Sequence, residues 1–170
     1  MIRDRALVIK PQFDYYGWSI FAEGRGLIKV AGKYGYIDNA GVIVIEPQFD
    51  IGYDFSEELA LVGFKAEDWK FGFVDKQGDW VIEPCYENAG SFSEGLAHIK
   101  VDGNWGYIDR MGEIIIQPKF DDARGFSEGL ACVKVNGKWG YIDKNGKLVI
   151  KPEFNEVGDF SEGLAHVRPP

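Results

Sequence analysis

His98, Cys132 and His166 stand at one position of successive repeats, and a His/Cys/His set is chemically suited to zinc. Spacing argues against that use. Residues one stacked unit apart are separated by about 10 Å or more, whereas zinc holds its ligands at about 2.0–2.3 Å. The expectation is a half-exposed polar stripe, with Lys29 and Leu61 filling the same column earlier in the chain. Asp38, Asp75, Asp109 and Asp143 each precede a glycine by three residues, which could suggest calcium. One carboxylate per turn is too few for that ion, and no EF-hand spacing occurs. A Gly-x-Ser-x-Gly elbow, a phosphate-binding loop and a dinucleotide fingerprint are all missing, and no serine near a histidine would complete a triad. The residues therefore predict no catalytic group, no metal and no cofactor.

What does recur is a phrase. It reads Tyr34-Gly35-Tyr36-Ile37-Asp38, Phe71-Gly72-Phe73-Val74-Asp75, Trp105-Gly106-Tyr107-Ile108-Asp109 and Trp139-Gly140-Tyr141-Ile142-Asp143, its glycines 37, 34 and 34 residues apart. Self-similarity at such a period marks a repeat architecture, in which each unit buries its apolar face only by stacking on its neighbours. The pattern predicts a single domain over 1–170, with a partial unit at 1–25, units at 26–57, 58–94, 95–128 and 129–162, and a partial unit at 163–170.

One unit shows how the elements arise. Leu130–Val135 alternates as a strand and meets Asn136-Gly137, whose counterpart is Asp102-Gly103; both pairs favour the type I′ hairpin, where two residues adopt positive φ. The second strand, Lys138–Ile142, ends in Asp143-Lys144-Asn145-Gly146, a turn closed by a left-handed glycine. The third, Lys147–Lys151, is expected to stop at Pro152, which cannot donate to a ladder. An irregular crossover follows, with Ser161-Glu162 as a single helical turn at most and Phe120, Phe126, Phe154 and Phe160 plugging the unit junctions. Trp105, Gly106, Trp139 and Gly140 are read as structural parts of the repeat, and Trp80 as core. The fold class is thus all-β: a tandem array of three-stranded antiparallel meanders. An open twisted stack is preferred, and a closed propeller- or barrel-like ring is the alternative.

The phrase Gly-Leu-Ala…Trp-Gly-Tyr-Ile-Asp…Gly…Val-Ile-x-Pro-x-Phe…Phe-Ser-Glu-Gly resembles the WG-repeat (KWG-repeat) family of bacterial proteins over residues 26–163. The resemblance implies an all-β module with no shared catalytic residue. Tyr34 and Phe71 replace the tryptophan in the first two units, and Glu58 stands where Gly95, Gly129 and Gly163 stand later.

Function is sought where units differ. Fifteen positions separate Pro11 from Gly26, against 11 in the later crossovers, and the extra stretch holds Tyr15, Tyr16 and Trp18. These aromatics either cap the array or bind, and exposed aromatics are enriched at interfaces. An insertion around Lys65–Trp69 lengthens one hairpin by three residues and makes Trp69 a further binding candidate, or a loop anchor. A formal charge of −8 and scattered basic residues disfavour nucleic acid, no apolar stretch is long enough for a membrane helix, and two cysteines at unrelated positions form no disulfide framework. No signal peptide is visible, so a cytoplasmic location is expected. The leading expectation is a non-catalytic protein–protein interaction module. A glycan- or cell-wall-binding module, with sugar rings stacked on repeated tryptophans, is the alternative; exposure of Trp105 and Trp139 separates the two.

Overall fold

The computed structural model describes residues 21–169; Tyr15, Tyr16, Trp18 and the strand expected over Ala6–Lys10 lie outside them. The described chain is all-β. Its first sheet holds β1 (Arg25–Val30), β2 (Lys33–Asp38) and β3 (Ile43–Phe49). The second holds β4 (Ile51–Ser56), β5 (Leu59–Lys65), β6 (Trp69–Val74) and β7 (Trp80–Tyr86). The third holds β8 (Asn88–Ala89), β9 (Ala97–Val101), β10 (Asn104–Ile108) and β11 (Ile114–Phe120). The fourth holds β12 (Asp122–Ser127), β13 (Leu130–Val135), β14 (Lys138–Ile142) and β15 (Leu148–Phe154). A two-stranded sheet of β16 (Glu156–Val157) and β17 (Val167–Arg168) follows. Pairing is antiparallel throughout, and substantial contacts between sheets join only neighbours in the chain. The array is an open stack of sheets.

The expected meander is present in each unit, with one addition: the crossover is not irregular. It forms a fourth strand that pairs with the first strand of the following meander, Ala123 opposite Val133 and Phe126 opposite Ala131. The phenylalanines at its two ends are far enough apart to span such a strand, and burial of those rings holds it in place. Nor does the third strand end at proline. β15 continues to Phe154, which lies opposite Trp139, while Ile150 lies opposite Tyr141. Two residues of β14 thus face four of β15, a bulge that absorbs Pro152 on an edge strand, where a missing N–H is tolerated.

That bulge explains the repeated glycine. A Cβ on Gly140 would sit 2.6 Å from the Ile150 carbonyl oxygen and 2.7 Å from the Pro152 nitrogen, and Gly35, Gly72 and Gly106 meet the equivalent atoms at 2.5 Å and 2.7–2.8 Å. The bulged strand lies against bare backbone, so no side chain fits.

The turns follow the chemistry expected. Asn136 and Gly137 have φ of 50° and 77°, Asp102 and Gly103 of 48° and 78°, the type I′ signature. The carboxylate of Asp143 accepts the N–H groups of Asn145 and Lys147, and Gly146 N–H donates to the Asp143 carbonyl. Ser-Glu-Gly, by contrast, is no helical turn. Glu94 and Gly95 have φ of 54° and 87°, and Ser93 and Leu96 bond each other's backbone across them, so the phrase is a second two-residue hairpin. In the earliest described copy the pair is Glu23-Gly24, φ 51° and 81°. Gly24, not Gly26, is therefore the counterpart of Gly95, and the excess after Pro11 is two residues (13 against 11), not four.

Each junction is a separate apolar core. Tyr36, Ile45 and Phe49 pack on Phe55, Ala60, Val62 and Val74 of the next sheet. Leu61, Phe73 and Ile82 pack on Phe92, Ala97 and Ile99, and Tyr107 and Ile116 on Phe126, Ala131 and Val133. Three polar ladders run beside the cores. Ser56, Ser93 and Ser127 hydroxyls donate to the carbonyls of Phe92, Phe126 and Phe160 at 2.7–2.8 Å. The Tyr36, Tyr107 and Tyr141 hydroxyls donate to Tyr53, Arg124 and Gly158 carbonyls at 2.8 Å. The Glu57, Glu94 and Glu128 carboxylates accept the N–H of Gly95, Gly129 and Gly163. Arg110 and Lys144 then bridge to Glu57 and Glu94. Burial works against the Glu94 carboxylate, but the Lys144 and Gly129 hydrogen bonds outweigh it and hold its pKa below the usual range.

Candidate functional site

The column that could do chemistry does not converge. Strand register places Leu27, Leu61, His98 and Cys132 opposite Tyr36, Phe73, Tyr107 and Tyr141, so Leu27 rather than Lys29 begins it. Its members differ in environment, which corrects the expected uniform stripe: Cys132 is buried, His98 half-buried and His166 exposed. His98 lies beside Gly90, where a Cβ would overlap the imidazole, and tilts against Trp105 at 5.3 Å. Its Nδ1 is buried without a hydrogen-bond partner among the described residues. Burial drives the His98 pKa down to about 4, against weaker pulls from Asp122 and Asp159. Burial likewise pushes the Cys132 thiol up to about 12, far from a nucleophilic thiolate. Among the described residues no group of three or more His, Cys, Asp or Glu is placed to hold a metal ion.

The structural residues fall at the junctions to different depths. Phe120, Phe126 and Trp139 are buried; Trp105, Phe154 and Phe160 are only half-buried, packed against the cores beside them. Trp80 is half-buried too, edge-on to Phe49 at 6.0 Å. Arg124 covers the Trp139 ring at 5.0 Å. The repeated tryptophans are not open shelves.

Two surfaces remain. Trp69 stacks on Phe71 at 5.7 Å and lines a cleft of about 440 Å³ with Asp68, Lys70 and Glu87. Sequence reasoning found that residue through the hairpin insertion. It missed the larger surface: the rim formed by the edge strands β3, β7, β11 and β15. Within β7 the residues Val81, Glu83 and Cys85 are exposed, whereas Ile82 and Tyr86 are buried. Along the rim Val81, Ile115 and Val149 are 38%, 47% and 54% exposed, with Ile114 and Leu148 beside them at 45% each. Between β11 and the fourth sheet the rim opens into an apolar cleft of about 330 Å³, lined by Phe120, Val135 and Leu148 with Lys119 at its edge. The signal was present in the repeated Val-Ile-x-Pro run, but a strand that is apolar at successive positions reads as core when its edge position is unknown.

The profile of the WG-containing repeat matches residues 3–34, 34–64, 71–105, 105–139 and 139–168. The chain belongs to the WG-repeat family. No curated protein matches this WG-repeat chain. Among solved structures it is similar to a plant lectin with two metal-binding sites from Cicer arietinum, at 12% identity over 89% of this chain and 90% of that one, with a TM-score of 0.29. A likeness that low carries no argument here.

Proposed function

We propose that this WG-repeat array is a non-catalytic, cytoplasmic protein-docking module that receives its partner on the rim of edge strands. One observation carries the reading: the repeat uses its tryptophans, tyrosines and phenylalanines at the junctions and presents aliphatic side chains outward, unit after unit. A row of exposed Val and Ile favours a protein surface; sugar recognition calls for exposed aromatic faces. Both cysteines are unpaired, which suits a reducing compartment. Glycan binding keeps one point of support, the polar cleft beside Trp69.

The test compares proteins retained from cell extract by the wild-type chain and by Ile115→Asp/Val149→Asp, with a sugar panel titrated against Trp69 fluorescence in parallel. A protein kept by the wild type and lost by the folded rim variant supports docking. Identical captures sink it, and saturable quenching by a sugar that Trp69→Ala abolishes would favour the glycan reading instead.

A further inference from the structure

The rim changes sign along the array. Thirteen acidic and three basic residues lie between Asp38 and Glu94, whereas seven acidic and nine basic lie between Gly95 and Lys151. On the rim the change is concentrated at equivalent positions. In the second sheet, exposed Val81 is flanked by exposed Asp79 and Glu83; in the fourth, exposed Val149 is flanked by exposed Lys147 and Lys151. In the third, Ile115 is flanked by Glu113 and Gln117. None of the four charged residues of the outer two rows forms an ion pair with another described residue. Each row is therefore an apolar side chain between two uncommitted polar heads.

Resting on the docking reading, we infer that the partner of this rim is a second copy of the same chain, packed rim to rim about a two-fold axis that runs along the edge strand of the third sheet. Reversing the order of three rows brings the second sheet of one copy to the fourth of the other, and the third to itself. That rotation leaves strand direction unchanged, so Asp79 lies opposite Lys147 and Glu83 opposite Lys151. Val81 then meets Val149, and Glu113, Ile115 and Gln117 on the axis meet their own copies. The axis generates each pairing of the outer rows twice, as an isologous interface requires. A two-fold along the array instead would reverse the strands but set each sheet against itself, Asp79 on Glu83 and Lys147 on Lys151, so the row-reversing register is singled out. Contact is through side chains. Main-chain addition is blunted by Pro84, Pro118 and Pro152 and by the bulges of all three edge strands. The apolar centre supplies the attraction, and the charges fix register and reject other alignments.

Charge exchange tests this directly. At low salt, sedimentation of the wild-type chain at tens of micromolar is expected to give a dimer that weakens at least tenfold in 0.5 M salt. Lys147→Glu/Lys151→Glu and Asp79→Lys/Glu83→Lys should each sediment as folded monomers, because each sets like charges opposite one another. Mixed in equal amounts they should form a heterodimer, since the opposed charges of the outer rows again differ in sign. A wild type that stays monomeric at 200 µM, a charge-reversed chain that still dimerises, or a mixture that remains monomeric overturns the proposal. A monomeric wild type with rim-dependent capture from extract would end the self-pairing while leaving the docking reading intact; loss of both would end both.

Discussion

At the scale of single residues, His98 shows how a polar side chain is accommodated against a glycine. Its imidazole occupies space left by Gly90, and the analogous pair in the last sheet is His166 beside Gly158. Where Arg124 replaces that glycine, the partner is the smaller Cys132. Because burial lowers the folded pKa to about 4 from 6.5, the unfolded chain binds the proton more readily between those values. The contribution of neutral His98 is complete above about pH 6.5 and is lost as pH falls toward 4. His98→Leu, which copies Leu61 of the second sheet, should flatten the dependence of melting temperature on pH in that window relative to wild type. Thermal scans from pH 4 to 8 on both chains check this; parallel curves would show that His98 titrates normally.

At the scale of elements, the recurring Trp-Gly pair combines two separate requirements. The aromatic member covers the bulge of the neighbouring strand, and tyrosine or phenylalanine serves there too, as Tyr34 and Phe71 demonstrate. The glycine has no such latitude, because the bulged backbone leaves no volume for a Cβ at any of the four positions. Gly106→Ala should destabilise the chain by about 3 kcal/mol or more, at or beyond the upper range for overpacking. Gly125→Ala is the control: its Cβ would meet only the Ser93 side chain at 3.7 Å, an ordinary contact. Chemical denaturation of both variants checks the contrast, and equal midpoints would remove the bulge as the reason for the glycine. The same logic of backbone demand explains the left-handed glycines of the Ser-Glu-Gly hairpin. Glu58 is the exception, held at φ 74° with its carboxylate 2.9 Å from Lys76.

At the scale of the whole molecule, stability is divided among junctions that are alike in composition and unlike in completeness. Phe126 is 2% exposed between two full four-stranded sheets. Phe154 and Phe160 face the two-stranded sheet of β16 and β17 and remain half-buried, because fewer side chains are present to cover them. Truncating Phe126 to alanine should cost about 3–5 kcal/mol, the range for a large core aromatic. Phe154→Ala should cost about 1–3 kcal/mol, less than expected of a fully buried ring. Urea titrations of the two variants decide this, and a larger loss at Phe154 would contradict the ordering of the junctions.

Period, turn chemistry and alternation within one meander are local, and the sequence by itself determined them: the Asn-Gly and Asp-x-x-Gly turns, the all-β class and the 34-residue repeat are all read from neighbouring residues. The crossover strand was hidden because its partners lie in the next meander, and the run through Pro152 because a bulge is defined only by the strand opposite. The Ser and Glu ladders were illegible for a related reason. Ser93 and Glu94 look like a solvated turn until the next unit brings the Phe126 carbonyl and Gly129 N–H within 2.7–3.0 Å. Stacking also decided which apolar residues face outward: Ile115 and Ile116 are equivalent as residues, yet one is 47% exposed and the other 3%. Burial in a repeat array is set by what the adjacent sheet covers, and that contact crosses about 34 residues of chain.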